Sequence, residues 1–137
     1  MPLSRAAATR RLLRVALALA LVSCGGDGSD SSDVNCDRNP PLTYDNFGRG
    51  FMGKHCNGCH SSLVSGNQRE GAPTGVDFDT YRGIVTWGYR IESRSVGEAG
   101  GMPPGGGPSE AEFARFQEWL ECQVLRDSDA LSAQGGR

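Results

Sequence analysis

The stretch Cys56-Asn57-Gly58-Cys59-His60 constrains this chain more than any other. Two thiols three residues apart fit on one turn, and the imidazole that follows adds a nitrogen donor beside them. Such a group can be a redox dithiol, part of a metal site or an attachment point, and each demands different surroundings. Three further cysteines, Cys24, Cys36 and Cys122, make the total five, an odd number. Hydrophobic residues are 37% of the chain, thin for a small domain. Small domains short of core commonly gain help from disulfides, a metal or a cofactor. All ten aromatic residues lie between Tyr44 and Trp119, which is where a core is expected.

The surroundings discriminate among these uses. A thioredoxin-like dithiol wants a strand before it and a helix after it in a βαβ setting, and no such strands are legible. A zinc site wants four ligands. Cys56, Cys59, His55 and His60 are crowded into six residues, and no second CxxC or HxxxH exists. As an attachment point, the two thiols can form thioethers to both vinyl groups of a haem, with His60 beneath the iron as proximal ligand. In this the chain resembles a c-type cytochrome.

The resemblance asks for a ligand on the opposite face. Apart from the initiator, the methionines are Met52 and Met102. Met52 lies four residues before Cys56 and is badly placed to reach the far face. Met102 lies 42 residues after His60, in Gly100-Gly101-Met102-Pro103-Pro104-Gly105. Glycine lets a backbone approach a flat group closely, and proline stiffens the loop. This Met-Pro-Pro element resembles that of short class I cytochromes c; a solvent-exposed Gly/Pro linker with an incidental methionine is the other reading. His55 abuts Cys56, which places it on the proximal side or at the surface rather than as a ligand.

The resemblance implies an all-α, cytochrome c-like fold, three to four helices around one covalently bound haem c. It makes His60 and Met102 the iron ligands, and it places a proline loop between them whose carbonyl accepts the proximal histidine's ring N–H. Gly71-Ala72-Pro73-Thr74-Gly75 stands there, so Pro73 takes that role by resemblance; a plain turn is the other reading. Trp87, Tyr89, Arg90 and Arg94 offer donors to a haem propionate, with Trp87 and Arg90 foremost. An ordinary core aromatic and a solvated arginine face would read alike.

The helices can be read from local signals. Ser109-Glu110-Ala111-Glu112 is a capping box after Pro108. Phe113, Phe116, Trp119 with Leu120, and Val124 then repeat at three to four residues, predicting an amphipathic helix. Thr43 can cap a first helix with Tyr44, Phe47 and Phe51 on one side. The family crosses its first and last helices at a glycine eight residues before the first haem cysteine, and Gly48 stands there. Where the family has an aromatic four residues before that cysteine, this chain has Met52, with Phe51 one earlier. A third helix is expected from Asp79 or Thr80 toward Ser95, with Tyr81, Ile84, Trp87 and Ile91 inward and Gly83 and Gly88 interrupting it.

Residues 1–23 hold four arginines, no acid and a short apolar run, Val15 to Val22. This reads as a signal peptide. Leu21-Val22-Ser23-Cys24 resembles a bacterial lipobox, in which Cys24 would be acylated. An ordinary secretory signal is the alternative, and Arg10-Arg11 reads as a basic n-region or, less well, as a twin-arginine signal. Residues 24–34 then form a Gly/Ser/Asp tether, 35–125 the cytochrome domain and 126–137 a polar, flexible tail. Losing four arginines and no acid takes the formal charge from −2 to −6, which argues against a nucleic-acid partner.

With Cys24 given to lipid and Cys56 and Cys59 to haem, Cys36 and Cys122 remain. An oxidising compartment favours a disulfide between them; two free thiols are the alternative. The expected function is an exported, lipid-anchored carrier of single electrons between redox proteins at a bacterial membrane, periplasmic or cell-surface side, and not an enzyme. A single lysine, Lys54, leaves no lysine ring for an acidic partner. The alternatives are a haem-based sensor or ligand-binding domain and a non-haem zinc or dithiol module.

Overall fold

The computed structural model describes residues 34–96, 100–105 and 107–135. The expected signal peptide, Cys24 and most of the expected tether lie outside the described residues. Every regular element among the described residues is helical, so the all-α expectation holds. None of these helices is long and apolar enough to cross a membrane.

The first helix starts where its cap predicts. Thr43 is extended, and its hydroxyl accepts from Asn46 N while Asn46 Oδ1 accepts from Thr43 N. This reciprocal pair satisfies donors that a helix start leaves open. A π-type stretch, Tyr44–Gly48, runs into α1, Arg49–His55. Ser109 and Glu112 cap α4, Glu110–Trp119, in the same way.

The expected third helix is two. Thr80 caps α2, Tyr81–Thr86, and α3 spans Gly88–Ser95. Between them Trp87 leaves helical geometry at φ −104°, ψ 9°. The kink lets the indole Nε1 donate to Gly75 O across the loop. Ile84 and Ile91 are buried as expected, whereas Tyr81 and Trp87 are half-buried.

The expected flexible tail is a correction. A π-type stretch, Leu120–Val124, continues α4 into α5, Leu125–Gly135. Its composition is polar, yet Asp127, Ser128 and Asp129 bond other parts of the protein. Ser128 is buried, with its Oγ within 2.7 Å of Val85 O and 2.8 Å of Val124 O. Tyr81 and Tyr89 donate to Asp127 and Asp129. A Cβ on Gly88 would lie 2.5 Å from Ser128 Oγ, so that glycine is what lets α3 approach α5.

The core joins these elements: Phe51 and Met52 of α1, Ile84 and Val85 of α2, Phe116 and Trp119 of α4, then Leu120 and Val124. Phe51 stacks flat on Phe116 at 4.3 Å, and Trp119 is fully buried over Gly48. Met52 therefore serves the core, consistent with its exclusion as a far-face ligand. Cys36 and Cys122 form a disulfide, Cα atoms 5.5 Å apart. Beside it Arg38 grips Glu118 through Nε and Nη2, so the N-terminal segment is bound both to α4 and to the π-type stretch that continues it.

Candidate functional site

Helix α1 ends at the motif. Cys56 caps it, and Cys59 N and His60 N both donate back to Cys56 O, at 3.2 and 2.9 Å, which puts both cysteines and His60 on one turn. Both thiols are free and half-buried. Burial pushes the Cys56 thiol up to about 12, the reverse of what a nucleophilic dithiol uses.

His60 is held on two sides. Its ring stacks on Phe78 at 4.5 Å, and its Nδ1 lies 2.9 Å from Val76 O. A carbonyl only accepts, so Nδ1 carries a proton, and in the neutral ring Nε2 keeps its lone pair. The carbonyl is Val76's, which corrects the expectation for Pro73. Pro73 O instead accepts from Arg69 Nη2 at 2.8 Å. Three residues along the same loop, the backbone turns Val76 rather than Pro73 toward the ring.

That loop is organised by a residue that motif reading passes over. Arg69 is 5% exposed. Its guanidinium reaches Ser61 O, Ala72 O, Pro73 O and the Asp77 carboxylate, each at 2.7–3.0 Å, with longer limbs to Val64 O and Val76 O. Asp77, eight residues on, is the only hint in sequence, and an i,i+8 charge pair in a loop has no recognisable period.

Met102 comes to this region on a short loop whose Gly101 and Met102 N–H groups both donate to Arg94 O at the end of α3. The side chain is 45% exposed. One cavity of about 350 Å³ is lined by Cys56, Cys59, His60 and Met102 together, with Pro73, Trp87 and Arg90 also on its wall. That size lies within the range of about 300–1,000 Å³ usual for small-molecule and cofactor sites. Phe78, Ile91 and Pro104 give the wall an apolar part.

The polar candidates divide. Trp87 lines the cavity, but its ring N–H is already given to Gly75 O, which corrects its expected role as a free donor. Tyr89 turns to Asp129. Arg90 and Arg94, one helical turn apart on α3, line the cavity, and neither has an ion-pair partner among the described residues. His55 is largely buried against Phe51 rather than at the surface; its Nε2 is 3.7 Å from Glu112 Oε1, too far for a hydrogen bond. Among the described residues no three His, Cys, Asp or Glu side chains gather as a metal-binding group. No protein-family model, curated protein or solved structure matches this chain.

Proposed function

We propose that this chain is an exported, lipid-anchored, monohaem c-type cytochrome with a cytochrome c-like fold, passing single electrons between redox proteins. The observation that carries the reading is the shared cavity. Cys56, Cys59 and His60 meet Met102 there, although 42 residues separate the last two.

The residues present fit the group. Cys56 and Cys59 would hold it through thioethers, and His60 and Met102 would offer a nitrogen and a sulfur to the iron. The bond from His60 to Val76 O leaves Nε2 as the ligating atom and fixes the ring. Arg90 and Arg94 are free to pair with carboxylates at the cavity wall. Phe78, Ile91 and Pro104 limit water around the site. When bound, haem supplies a one-electron Fe(III)/Fe(II) couple. With two protein ligands assigned, no site is left for a substrate, so we assign no turnover.

A zinc module is disfavoured because no three His, Cys, Asp or Glu side chains gather as a metal-binding group among the described residues. A haem sensor or ligand-binding domain is the second reading, and the exposure of Met102 favours it: an exposed thioether is the easier ligand to displace. The visible spectrum of full-length protein made with haem-maturation machinery separates the readings. We expect covalent haem, a low-spin spectrum and a methionine–iron charge-transfer band. Absence of covalent haem overturns both haem readings. Covalent haem without the band leaves the sensor reading.

A further inference from the structure

Resting on the haem reading, we propose that Arg69 and Asp77 are a buried charge pair that sets how strongly His60 donates to Val76, and through that bond the reduction potential. Arg69 is thereby a positioning residue for the proximal ligand.

Arg69 is the one charged residue that is buried among the described residues. Burying a guanidinium is costly unless it is paired and hydrogen-bonded. Here every limb is used: Nε on Ala72 O, Nη1 on Ser61 O and Val64 O, Nη2 on Pro73 O, Val76 O and Asp77 Oδ1. Clamping a loop explains most of these bonds. It does not require the limb on Val76 O at 3.4 Å, the carbonyl that also accepts from His60 Nδ1 at 2.9 Å.

Two donors on one carbonyl compete for its electron density, and a cationic donor weakens that acceptor even from 3.4 Å. Val76 O is then a weaker acceptor for His60 than an unshared carbonyl. An imidazole that gives its proton less strongly is the less basic ligand at Nε2, which favours the reduced state. The buried positive charge acts in the same direction, because oxidation adds positive charge nearby. Asp77, at 2.8 Å, offsets part of that charge. Removing Arg69 should therefore lower the potential, and removing the Asp77 charge should raise it. A clamp with no electronic role predicts that both changes loosen one loop and move the potential the same way.

The test uses the haem-loaded full chain with Arg69→Gln and Asp77→Asn. Redox titration should show Arg69→Gln shifting the Fe(II)/Fe(III) equilibrium about tenfold toward the oxidised form, about 59 mV for one electron. Asp77→Asn should shift it the other way. In the reduced protein the His60 ring N–H proton resonance should move downfield in Arg69→Gln as its bond strengthens. Shifts of the same sign, no shift, or a moved potential with an unmoved resonance each overturn the inference. If Arg69→Gln does not fold, Asp77→Asn decides alone: with native helix content, a raised potential supports the inference and an unchanged or lowered one overturns it. Wild-type chain that takes up no haem sinks the functional reading and this inference together, whereas haem uptake with same-signed shifts sinks only the inference.

Discussion

A Cβ on Gly48 would lie 2.3 Å from Cζ2 of Trp119. No non-bonded carbon pair tolerates that separation, and the buried indole has no room to retreat. Trp119 is fully buried, and its Nε1 donates to Gln123. Gly48→Ala must therefore separate the first helix from α4 or push Trp119 off its rotamer. Overpacking of this kind costs about 1–3 kcal/mol. Urea unfolding should show a lower midpoint, whereas Gly50→Ala, where a Cβ meets nothing within 4 Å, should not. Equal midpoints for Gly48→Ala and wild type would show that the helices do not cross there.

The disulfide should stabilise the same crossing. Cys36 and Cys122 are 86 residues apart. Chain-entropy reasoning gives roughly 4–5 kcal/mol for a closed loop of that size, and typical bridges deliver about 2–4 kcal/mol. We expect Cys36→Ser with Cys122→Ser to lose about 2–4 kcal/mol. Arg38 still grips Glu118 in that variant, so the native fold should survive. Mass mapping without reductant should find the Cys36–Cys122 peptide pair; pairing of either with Cys56 or Cys59 would contradict the fold.

These features show what could be read beforehand and what could not. The caps at Thr43 and Ser109 are local chemistry: a hydroxyl and a residue three positions on. They were legible, as were the aromatic face of α4 and the glycine under Trp119. Helix α5 was not, because its stability is not local. Ser128, Asp127 and Asp129 look like a solvated tail until Val85, Tyr81 and Tyr89 are folded against them. At the site, residue types and spacing pointed to Cys56, Cys59, His60 and Met102. Which carbonyl serves His60 depends on loop torsions that no motif encodes, so the sequence points to Pro73 where Val76 stands. Arg69 was missed for the same reason, since its acceptors are almost all backbone.

Helix α5 yields its own test. Deleting residues 126–137 would expose Val85 and Val124 and strip Tyr81 and Tyr89 of their acceptors. It should destabilise the whole domain, visible as a lower unfolding midpoint with the steepness of a single transition. Ser128→Ala alone leaves Val85 O without its hydroxyl partner and should cost about 1–3 kcal/mol. A truncated chain as stable as wild type would return the segment to the status of a tail.

Stability should fall at both ends of the pH range. At the acid end, Lys54 and then the Ser109 backbone and hydroxyl hold the Glu112 carboxyl down to about 2. Arg38 holds Glu118 below its ordinary value, and Ser61 and Ser62 do so for Asp79. A carboxylate lowered by folding contributes stability that is present above its unfolded value, about 4.3 for Glu, and is lost as pH falls through the folded one. The loss should run from just above pH 4 down to about 2. At the alkaline end, burial and then Asp127 raise Tyr81, and Asp129 raises Tyr89. Their contribution is present below the ordinary tyrosine value of about 10 and is lost as pH climbs through the raised ones. Unfolding midpoints across pH should show both limbs, with Glu112→Gln flattening the acid one. A midpoint constant between pH 5 and pH 2.5 would contradict the assignment.

Met102 should separate function from folding. Its side chain is half outside the protein, and the loop that carries it is held by backbone bonds to Arg94 O rather than by the thioether. Met102→Ala should thus change the stability of the haem-free chain by no more than about 0.5 kcal/mol, the usual range for exposed positions. In the haem-loaded chain the same substitution should abolish the methionine–iron charge-transfer band and lower the reduction potential, because a thioether partner to histidine raises it. His60→Ala should instead prevent a low-spin spectrum altogether. If Met102→Ala leaves band and potential unchanged, the sixth ligand is another residue. If it destabilises the haem-free chain by several kcal/mol, Met102 is a packing residue, and the cavity it lines has lost its argument as a ligand site.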